Sequence, residues 1–238
     1  MEITAAKKIL IICYSLSGQT SNLLARLTSG LESAGVTVII ERLRPLKPLR
    51  FPFGSIRATV RMMLLTFFRK RISIAPLSDK CKGRYDLIIL AGPTWSYQPS
   101  GPVLSLIDRD GSTLLANRPV ITLISCRGYW RMHWLGLRAL LQKNGATVVN
   151  RIVFTHPSRE PWRTLGVFLK LAGRSPERSR FIGRYYPRYG HEKNQLDEAD
   201  RFGAMLGQAL TRGKDLAALN FQTPLAISRG GNRQSPRC

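Results

Sequence analysis

The sequence predicts an α/β protein with a doubly wound, five-stranded parallel sheet. Short, continuous apolar runs such as residues 9–12 recur along the chain, as expected of strands buried on both faces of a parallel sheet. Stretches with apolar residues at helical spacing separate these runs, and such alternation is typical of this class. A polar loop with one glycine directly follows the first run, at the edge where such sheets bind ligands.

The first half of the predicted sheet begins with a strand at residues 9–12 and a helix at residues 20–34. Thr20 or Ser21 can cap the start of this helix, and Gly35 can close its end. The second strand covers residues 36–41, so strand, helix and strand form a unit with a right-handed crossover. A third strand at residues 85–91 follows a long connection that contains several prolines.

The second half continues with a helix at residues 103–108, a turn at Asp110 and Gly111, and a fourth strand at residues 119–125. A helical stripe with Trp130 and Trp134 follows, and then a fifth strand at residues 148–154. The last helix covers residues 199–210. We predict a single domain over residues 1–219 and a disordered tail over residues 220–238.

Composition excludes several classes of protein. With 238 residues and 44% hydrophobic content the chain can bury a substantial core, so global disorder is not expected. No run reaches the roughly 20 apolar residues that span a bilayer, and the apolar N-terminal stretch lacks a cleavage site for secretion. The 4 cysteines and 3 histidines are dispersed, which predicts free thiols, no metal site and a cytoplasmic protein.

The net charge of +23 predicts attraction to an anionic partner, and one bound phosphate group cannot account for all of it. The excess is concentrated in two stretches. Residues 51–84 contain 8 Lys or Arg against Asp79 alone, and residues 150–195 contain 10 against 3 glutamates. We expect these stretches to belong to two basic, apolar insertions in the fold, at residues 45–84 and 156–195.

The loop after the first strand has the composition of a phosphate-binding site. Ser15, Ser17 and Thr20 place three hydroxyl groups beside the backbone N–H groups of a helix N-terminus, where the helix dipole favours an anion. No lysine follows Gly18, so the loop is not a P-loop, and a single glycine does not make a dinucleotide fingerprint. The alternative is an ordinary polar turn with a helix cap.

The pattern S-x-S-G-x-T, and the G-P-T-W loop after the third strand, resemble the flavodoxin-like superfamily. The resemblance covers about two-thirds of the chain and implies the strand order 2-1-3-4-5 and bound FMN. It implies that the phosphate is held by Ser15, Ser17, Gly18, Gln19 and Thr20. It further implies that the flavin ring lies between two loops, one with Pro93, Thr94, Trp95 and Tyr97, the other with Arg127, Gly128 and Tyr129.

A narrower pattern is similar to flavodoxin-like proteins known as dialkylresorcinol condensing enzymes. It consists of the sequence ERLRP at residues 41–45 and SCRGYW at residues 125–130. This resemblance implies a role in forming or aromatising a lipidic ring. We therefore predict an FMN-dependent oxidoreductase that acts on an apolar or lipidic small molecule, or on one of the quinone or resorcinol type. The alternatives are an electron-transfer protein of the flavodoxin type and a binding protein at the membrane without a cofactor.

Two residues near the predicted ligand edge are candidates for catalysis. Cys126 follows the fourth strand, and His133 lies one turn into the next helix. No base is recognisable beside Cys126, so a structural thiol is the alternative to a nucleophile. His133 is a candidate general acid or base, or a packed core residue.

The basic stretch from Arg57 to Arg71 allows three interpretations. It forms a helix packed on the sheet, or it lies on an anionic membrane surface with its apolar residues inserted, or it covers a hydrophobic substrate above the flavin. The second insertion, from Trp162 to Arg188, is similar in character. Its alternating arginines and aromatic residues could stack on single-stranded nucleic acid, but no nucleic-acid motif accompanies them, and we do not expect that partner.

Overall fold

A computed structural model describes residues 6–228 of the chain. Five parallel strands form the central sheet, in the order β2-β1-β3-β5-β6. Counted without the short antiparallel strand β4, this order is 2-1-3-4-5, which confirms the predicted flavodoxin-like, doubly wound sheet. The strands are β1 Lys8–Cys13, β2 Thr37–Arg42, β3 Leu87–Trp95, β4 Gln98–Pro99, β5 Pro119–Cys126 and β6 Thr147–Thr155.

Six α-helices surround the sheet in the described part of the chain. They are α1 Gln19–Ser33, α2 Ile56–Phe67, α3 Gly101–Leu115, α4 Trp130–Lys143, α5 Trp162–Leu171 and α6 Lys193–Thr211. Single 3-10 turns cover Asp79–Lys82, Pro176–Arg178, Ile182–Arg184 and Leu216–Ala218. Helices α1 and α6 bury one face of the sheet, and α3 and α4 bury the other. Helices α2 and α5 belong to the two predicted insertions and contact each other.

The central strands are buried on both faces, as their continuous apolar runs predict. In β1, Ile9 and Ile11 pack with α1 and α6, while Leu10 and Ile12 pack with α3 and α4. All four side chains are fully buried. Each contributes about 1.5–3 kcal/mol through removal of its apolar surface from water. Because the long strands are parallel, their carboxyl ends meet at one edge, where the loops after β1, β3 and β5 converge.

The turn predicted at Asp110 and Gly111 is wrong. Both residues lie inside α3, which continues to Leu115. A Cβ atom at Gly111 would lie 2.6 Å from Oδ1 of Asn144, so the glycine permits close contact with the end of α4 rather than a change of chain direction. Tertiary packing therefore explains a residue that local propensity assigns to a turn.

The disordered tail predicted from residue 220 is wrong for its first nine residues. Phe221 and Ala226 are buried in the core beside α6, and the carbonyl oxygen of Ala226 accepts a 2.9 Å hydrogen bond from the Thr155 N–H. Residues 229–238 of that predicted tail lie outside the described residues. Between residues 6 and 228, no helix is both long enough and apolar enough to cross a bilayer.

Helices α1 and α6 approach so closely that their backbones nearly touch. A Cβ atom at Gly203 of α6 would lie 2.1 Å from the Leu27 carbonyl oxygen, and one at Gly30 of α1 would lie 2.0 Å from the Asp200 carbonyl oxygen. Only glycine permits this separation. The contact fixes α1, and with it the loop that precedes α1, against one face of the sheet.

We expect Gly203→Ala to lower the free energy of unfolding by about 1–3 kcal/mol or more, because the helices must separate to accept the methyl group. The matched control is Gly136→Ala on α4, where a Cβ atom would meet nothing closer than 3.8 Å. That control should leave stability unchanged or raise it by up to about 1 kcal/mol. Urea unfolding measures both, and equal effects of the two substitutions would contradict the proposed close approach.

Candidate functional site

The cap residue of α1 has no side chain that could accept a hydrogen bond from the helix N-terminus. Gly18 occupies the cap position with a φ of 82°, a left-handed conformation that glycine adopts without strain. A Cβ atom there would have no neighbour within 4 Å. Ser15 Oγ accepts a long, 3.4 Å hydrogen bond from the Ser21 N–H. The positive end of the helix dipole therefore faces the space beside the loop.

That space is a cavity of about 130 Å³, which we call the inner cavity. Predicted phosphate residues Ser15, Ser17, Gln19 and Thr20 line it. The rest of its lining is Leu16, Phe51, Pro93, Thr94, Trp95, Ser125, Cys126, Arg127, His156, Val167, Leu171, Tyr189, Gly190 and His191. No lining residue in the described chain is acidic, and Arg127 is the cation among them. The inner cavity thus combines hydroxyl groups, a helix N-terminus and a positive charge.

The hairpin between β3 and β4 forms a second side of the site. Ser96 and Tyr97 have φ angles of 45° and 70°, as a two-residue hairpin turn of type I′ requires. Such angles cost about 1–3 kcal/mol for residues other than glycine. The Ser96 hydroxyl lies 2.9 Å from that of Thr66, which connects the strained turn to α2. The Trp95 ring packs edge-on against Tyr14, with centroids 5.6 Å apart.

The loop after β5 forms the third side. Arg127 lies over the Tyr129 ring at 5.2 Å, and its Nε is buried with no hydrogen-bond partner among the described residues. Gly128 lines neither cavity of the site; a Cβ atom there would lie 2.6 Å from the guanidinium of Arg163. The loop therefore contributes Arg127 and Tyr129 to the site, and Gly128 makes room for α5.

A second cavity of about 140 Å³ adjoins the first, and we call it the outer cavity. Both cavities share Leu16, Thr94, Trp95, Arg127, Val167 and Leu171 as lining residues. The outer cavity is closed by Met62, Met63 and Thr66 of α2, by Phe168 of α5, and by Phe53, Ser96, Tyr97 and Tyr129. The rings of Tyr97 and Tyr129 contact each other edge-on at 5.4 Å. Both insertions thus supply the walls of an apolar space beside the polar one.

The second insertion also returns to the β1–α1 loop, a contact that the sequence did not predict. The Tyr189 hydroxyl donates a 3.0 Å hydrogen bond to Ser17 Oγ, and the Tyr189 ring stacks on Phe51 at 5.7 Å. The His191 N–H donates to Oε1 of Gln19 at 3.2 Å. Because Ser17 Oγ accepts from Tyr189, the proton of Ser17 remains available for an acceptor in the inner cavity.

A chain of hydrogen bonds fixes the ring of His191. Nε2 of Gln195 donates to the carbonyl oxygens of Thr155 at 2.8 Å and of Leu225 at 3.0 Å, so its Oε1 must accept. His191 Nδ1 lies 3.3 Å from that oxygen and therefore carries the proton. His191 Nε2 then accepts from the Ser125 hydroxyl at 3.0 Å. His191 is a neutral acceptor that orients Ser125 at the end of β5.

The two candidate catalytic residues differ in position. Cys126 lines the inner cavity, but burial raises the pKa of its thiol to about 12, so it is protonated at neutral pH. His133 is buried, lines neither cavity, and places Nδ1 2.7 Å from the Thr94 hydroxyl. Its geometry supports Thr94 rather than direct contact with a ligand. Within the described residues, no group of three His, Cys, Asp or Glu side chains could hold a metal ion.

No known protein family and no curated protein sequence matches this chain. Among solved structures, it is similar to a flavoprotein in complex with FMN from Lactobacillus acidophilus, with 19% identity and a TM-score of 0.45 over 61% of this chain and 92% of that one. It is also similar to a flavodoxin from the domain Archaea, with 14% identity and a TM-score of 0.46 over 86% of this chain and 99% of that one. The fold assignment rests on the strand order itself.

Three buried histidines make stability depend on pH. Burial lowers the pKa of His133 and His156 to about 3 and that of His191 to about 4, below the usual 6.5. Below pH 6.5 these histidines therefore bind protons in the unfolded chain but stay neutral in the folded protein. The free energy of unfolding consequently decreases as the pH is lowered. Between pH 7 and 5.5 we expect a loss of about 1.3 kcal/mol per histidine, about 4 kcal/mol in all.

Urea unfolding at several pH values in this window measures that loss, and the window lies above the titration of carboxyl groups. In His191→Asn, we expect about two-thirds of the pH dependence to remain, whatever the change in absolute stability. A flat profile in the unsubstituted protein would show that the three histidines are charged, or accessible to water, in the folded state.

Proposed function

We propose that the inner cavity binds FMN, with its phosphate at the β1–α1 loop. One observation carries this proposal. A helix N-terminus that has Gly18 as its cap residue and is surrounded by hydroxyl groups lies directly beside a wall of aromatic and apolar residues. FMN has the same two parts, an anionic phosphate and a flat, largely apolar ring. Ser15, Ser17, Gln19 and Thr20 would hold the phosphate, and Gly18 leaves space for it to approach the backbone.

The ring would lie beside Pro93, Thr94 and Trp95 on one side and Arg127 on the other. The buried Arg127 Nε has no partner in the described chain, and a bound flavin would supply an acceptor for it. Thr94 is oriented by His133, and Ser125 by His191, so both hydroxyl groups hold defined positions beside the cavity. Phe51, Val167 and Leu171 exclude water from the same space.

The outer cavity is where we place the substrate. Its lining is mainly apolar and aromatic, and it meets the inner cavity at Trp95 and Arg127. An apolar ring of the quinone or resorcinol type would suit these walls, and it is the substrate class that we predict from the sequence pattern at residues 41–45 and 125–130. When bound, FMN exchanges electrons with such a ring. The chain's own residues orient the ring and keep water from it.

An electron-transfer protein of the flavodoxin type is the alternative. Such a protein must expose one edge of its flavin to a protein partner. Here α2 and α5 line the space beside Trp95, Tyr97 and Tyr129, where that approach would occur. The covered position therefore favours an enzyme with a small substrate. A binding protein without a cofactor leaves the unpartnered Arg127 Nε unexplained.

We expect the protein to bind FMN more tightly than riboflavin, and Thr20→Val to remove most of that preference. Loss of one hydrogen bond to the phosphate should weaken FMN binding by about tenfold to a hundredfold and leave riboflavin binding unchanged. Quenching of flavin fluorescence measures both ligands. The control is Thr28→Val, the same substitution on the same helix, where the hydroxyl is buried without a partner. A protein that stays colourless with FMN would contradict the proposal.

A substitution that fills the outer cavity should distinguish the two candidate functions, an enzyme with a small substrate and an electron-transfer protein. We expect Met63→Trp to retain FMN but to slow reoxidation of the reduced protein by a short-chain alkyl benzoquinone about tenfold or more, because the ring can no longer enter. Anaerobic stopped-flow absorbance gives the rate. Met132→Trp, at a half-exposed position on α4, is the control. Equal rates in all three proteins would favour the electron-transfer alternative.

A further inference from the structure

The exposed apolar residues of this protein are concentrated on α2 and the residue that follows it. Of the 14 large hydrophobic side chains that are exposed among the described residues, six lie there: Ile56, Val60, Leu64, Leu65, Phe67 and Phe68. Phe68 is 77% exposed and Leu64 is 57% exposed. Single exposed apolar residues are ordinary, but a run of this density on one helix marks an interaction site.

Helix α2 has two apolar faces that point in opposite directions. Met62, Met63 and Thr66 line the outer cavity, and Thr59 is fully buried beside them. At helical spacing the opposite face carries Arg57, Val60, Arg61, Leu64, Phe67 and Phe68, and we call it the outer face of α2. Packing inside the protein explains the first face only. Among the described residues, nothing covers the outer face.

The charge around the outer face specifies the chemistry of a partner. Between residues 43 and 78 the sequence contains no Asp or Glu. None of the ion pairs in the described part of the chain involves Arg57, Arg61 or Lys70. With a net charge of +23, a second copy of this chain would be repelled, so the partner must be anionic as well as apolar.

We propose that the outer face of α2 docks on the surface of an anionic lipid bilayer. Val60, Leu64, Phe67 and Phe68 enter the boundary between headgroups and acyl chains, while Arg57 and Arg61 bind lipid phosphates. A short helix with an apolar face bordered by arginines is the form that such interfacial helices take. Single-stranded nucleic acid is a poorer match, because Val60 and Leu64 have no ring on which a base could stack.

The second insertion carries exposed residues of the same character. Its helix α5 is joined to the segment before α2 by a 2.8 Å hydrogen bond from the Phe53 N–H to the Leu171 carbonyl oxygen. Leu165 of α5, and Phe181 and Tyr185 beyond it, are exposed, and Arg180 and Arg184 are exposed between them. The same pairing of apolar and cationic side chains therefore recurs on the second insertion. A bilayer is broad enough to contact both insertions at once.

Sedimentation with vesicles tests the proposal without any cofactor. We expect the protein to bind vesicles of phosphatidylcholine with roughly one third phosphatidylglycerol at least about tenfold more tightly than phosphatidylcholine alone. Binding should weaken as salt rises from roughly 0.1 to 0.5 M. Leu64→Ser combined with Phe68→Ser should weaken binding to the anionic vesicles by about tenfold or more. Because both side chains are exposed, the variant should fold, which circular dichroism verifies.

Two matched controls distinguish binding through the outer face of α2 from non-specific binding through other exposed apolar or cationic side chains. Leu225→Ser changes an exposed leucine on the C-terminal segment, and should not alter vesicle binding. Arg57→Gln with Arg61→Gln should weaken binding about tenfold or more, whereas Arg26→Gln with Arg212→Gln, on α1 and at the end of α6, should have a small effect.

Three results would overturn the proposal. The first is the absence of vesicle binding at low salt. The second is equal weakening by the test and control substitutions, which would indicate non-specific attraction through net charge. The third is tight binding of an RNA homopolymer with vesicle binding unchanged by Leu64→Ser and Phe68→Ser, which would assign the face to nucleic acid.

Discussion

The arrangement of this site depends on the side-chain amide of Gln195. Its nitrogen donates to the carbonyl oxygens of Thr155 at the end of β6 and of Leu225 in the C-terminal segment. Its oxygen accepts from the ring of His191 and from the N–H of Glu192, the cap residue directly before α6. All four hydrogen-bonding positions of this one amide are used. Through this amide the second insertion returns to the β1–α1 loop with a fixed geometry.

The sheet and the β1–α1 loop could be predicted because their determinants are local. Apolar runs identify the strands, and a parallel sheet brings their carboxyl ends to one edge whatever the connections contain. The return of the second insertion could not be predicted in this way. Tyr189 and Ser17 are 172 residues apart in sequence, and no periodicity connects them. Arginines beside Tyr189 instead suggested stacking on nucleic acid, since isolated aromatic residues carry no information about their partners.

The role of the first insertion could not be predicted from its sequence either. Its sequence allowed three roles for the stretch from Arg57 to Arg71, and a helix on the sheet is the role that its apolar content alone favours. In the structure only Thr59 and Thr66 of α2 are buried, so this helix adds little to the core. Its apolar residues divide between the outer cavity and the surface. Sequence patterns predict that a helix is apolar, but only the tertiary structure shows which face is covered.

The two cavities meet where the polarity of the site changes. Arg127 is the one charged side chain among the described residues that line either cavity, and it lines both. Apolar walls from α2 and α5 lower the local dielectric, so this charge acts more strongly on a neighbouring ring than it would in water. An arginine with an unpartnered buried Nε is also unfavourable unless a ligand supplies an acceptor. The two insertions and Arg127 therefore act together: the apolar walls strengthen the charge, and the charge offers a polar contact to the ligand that we propose.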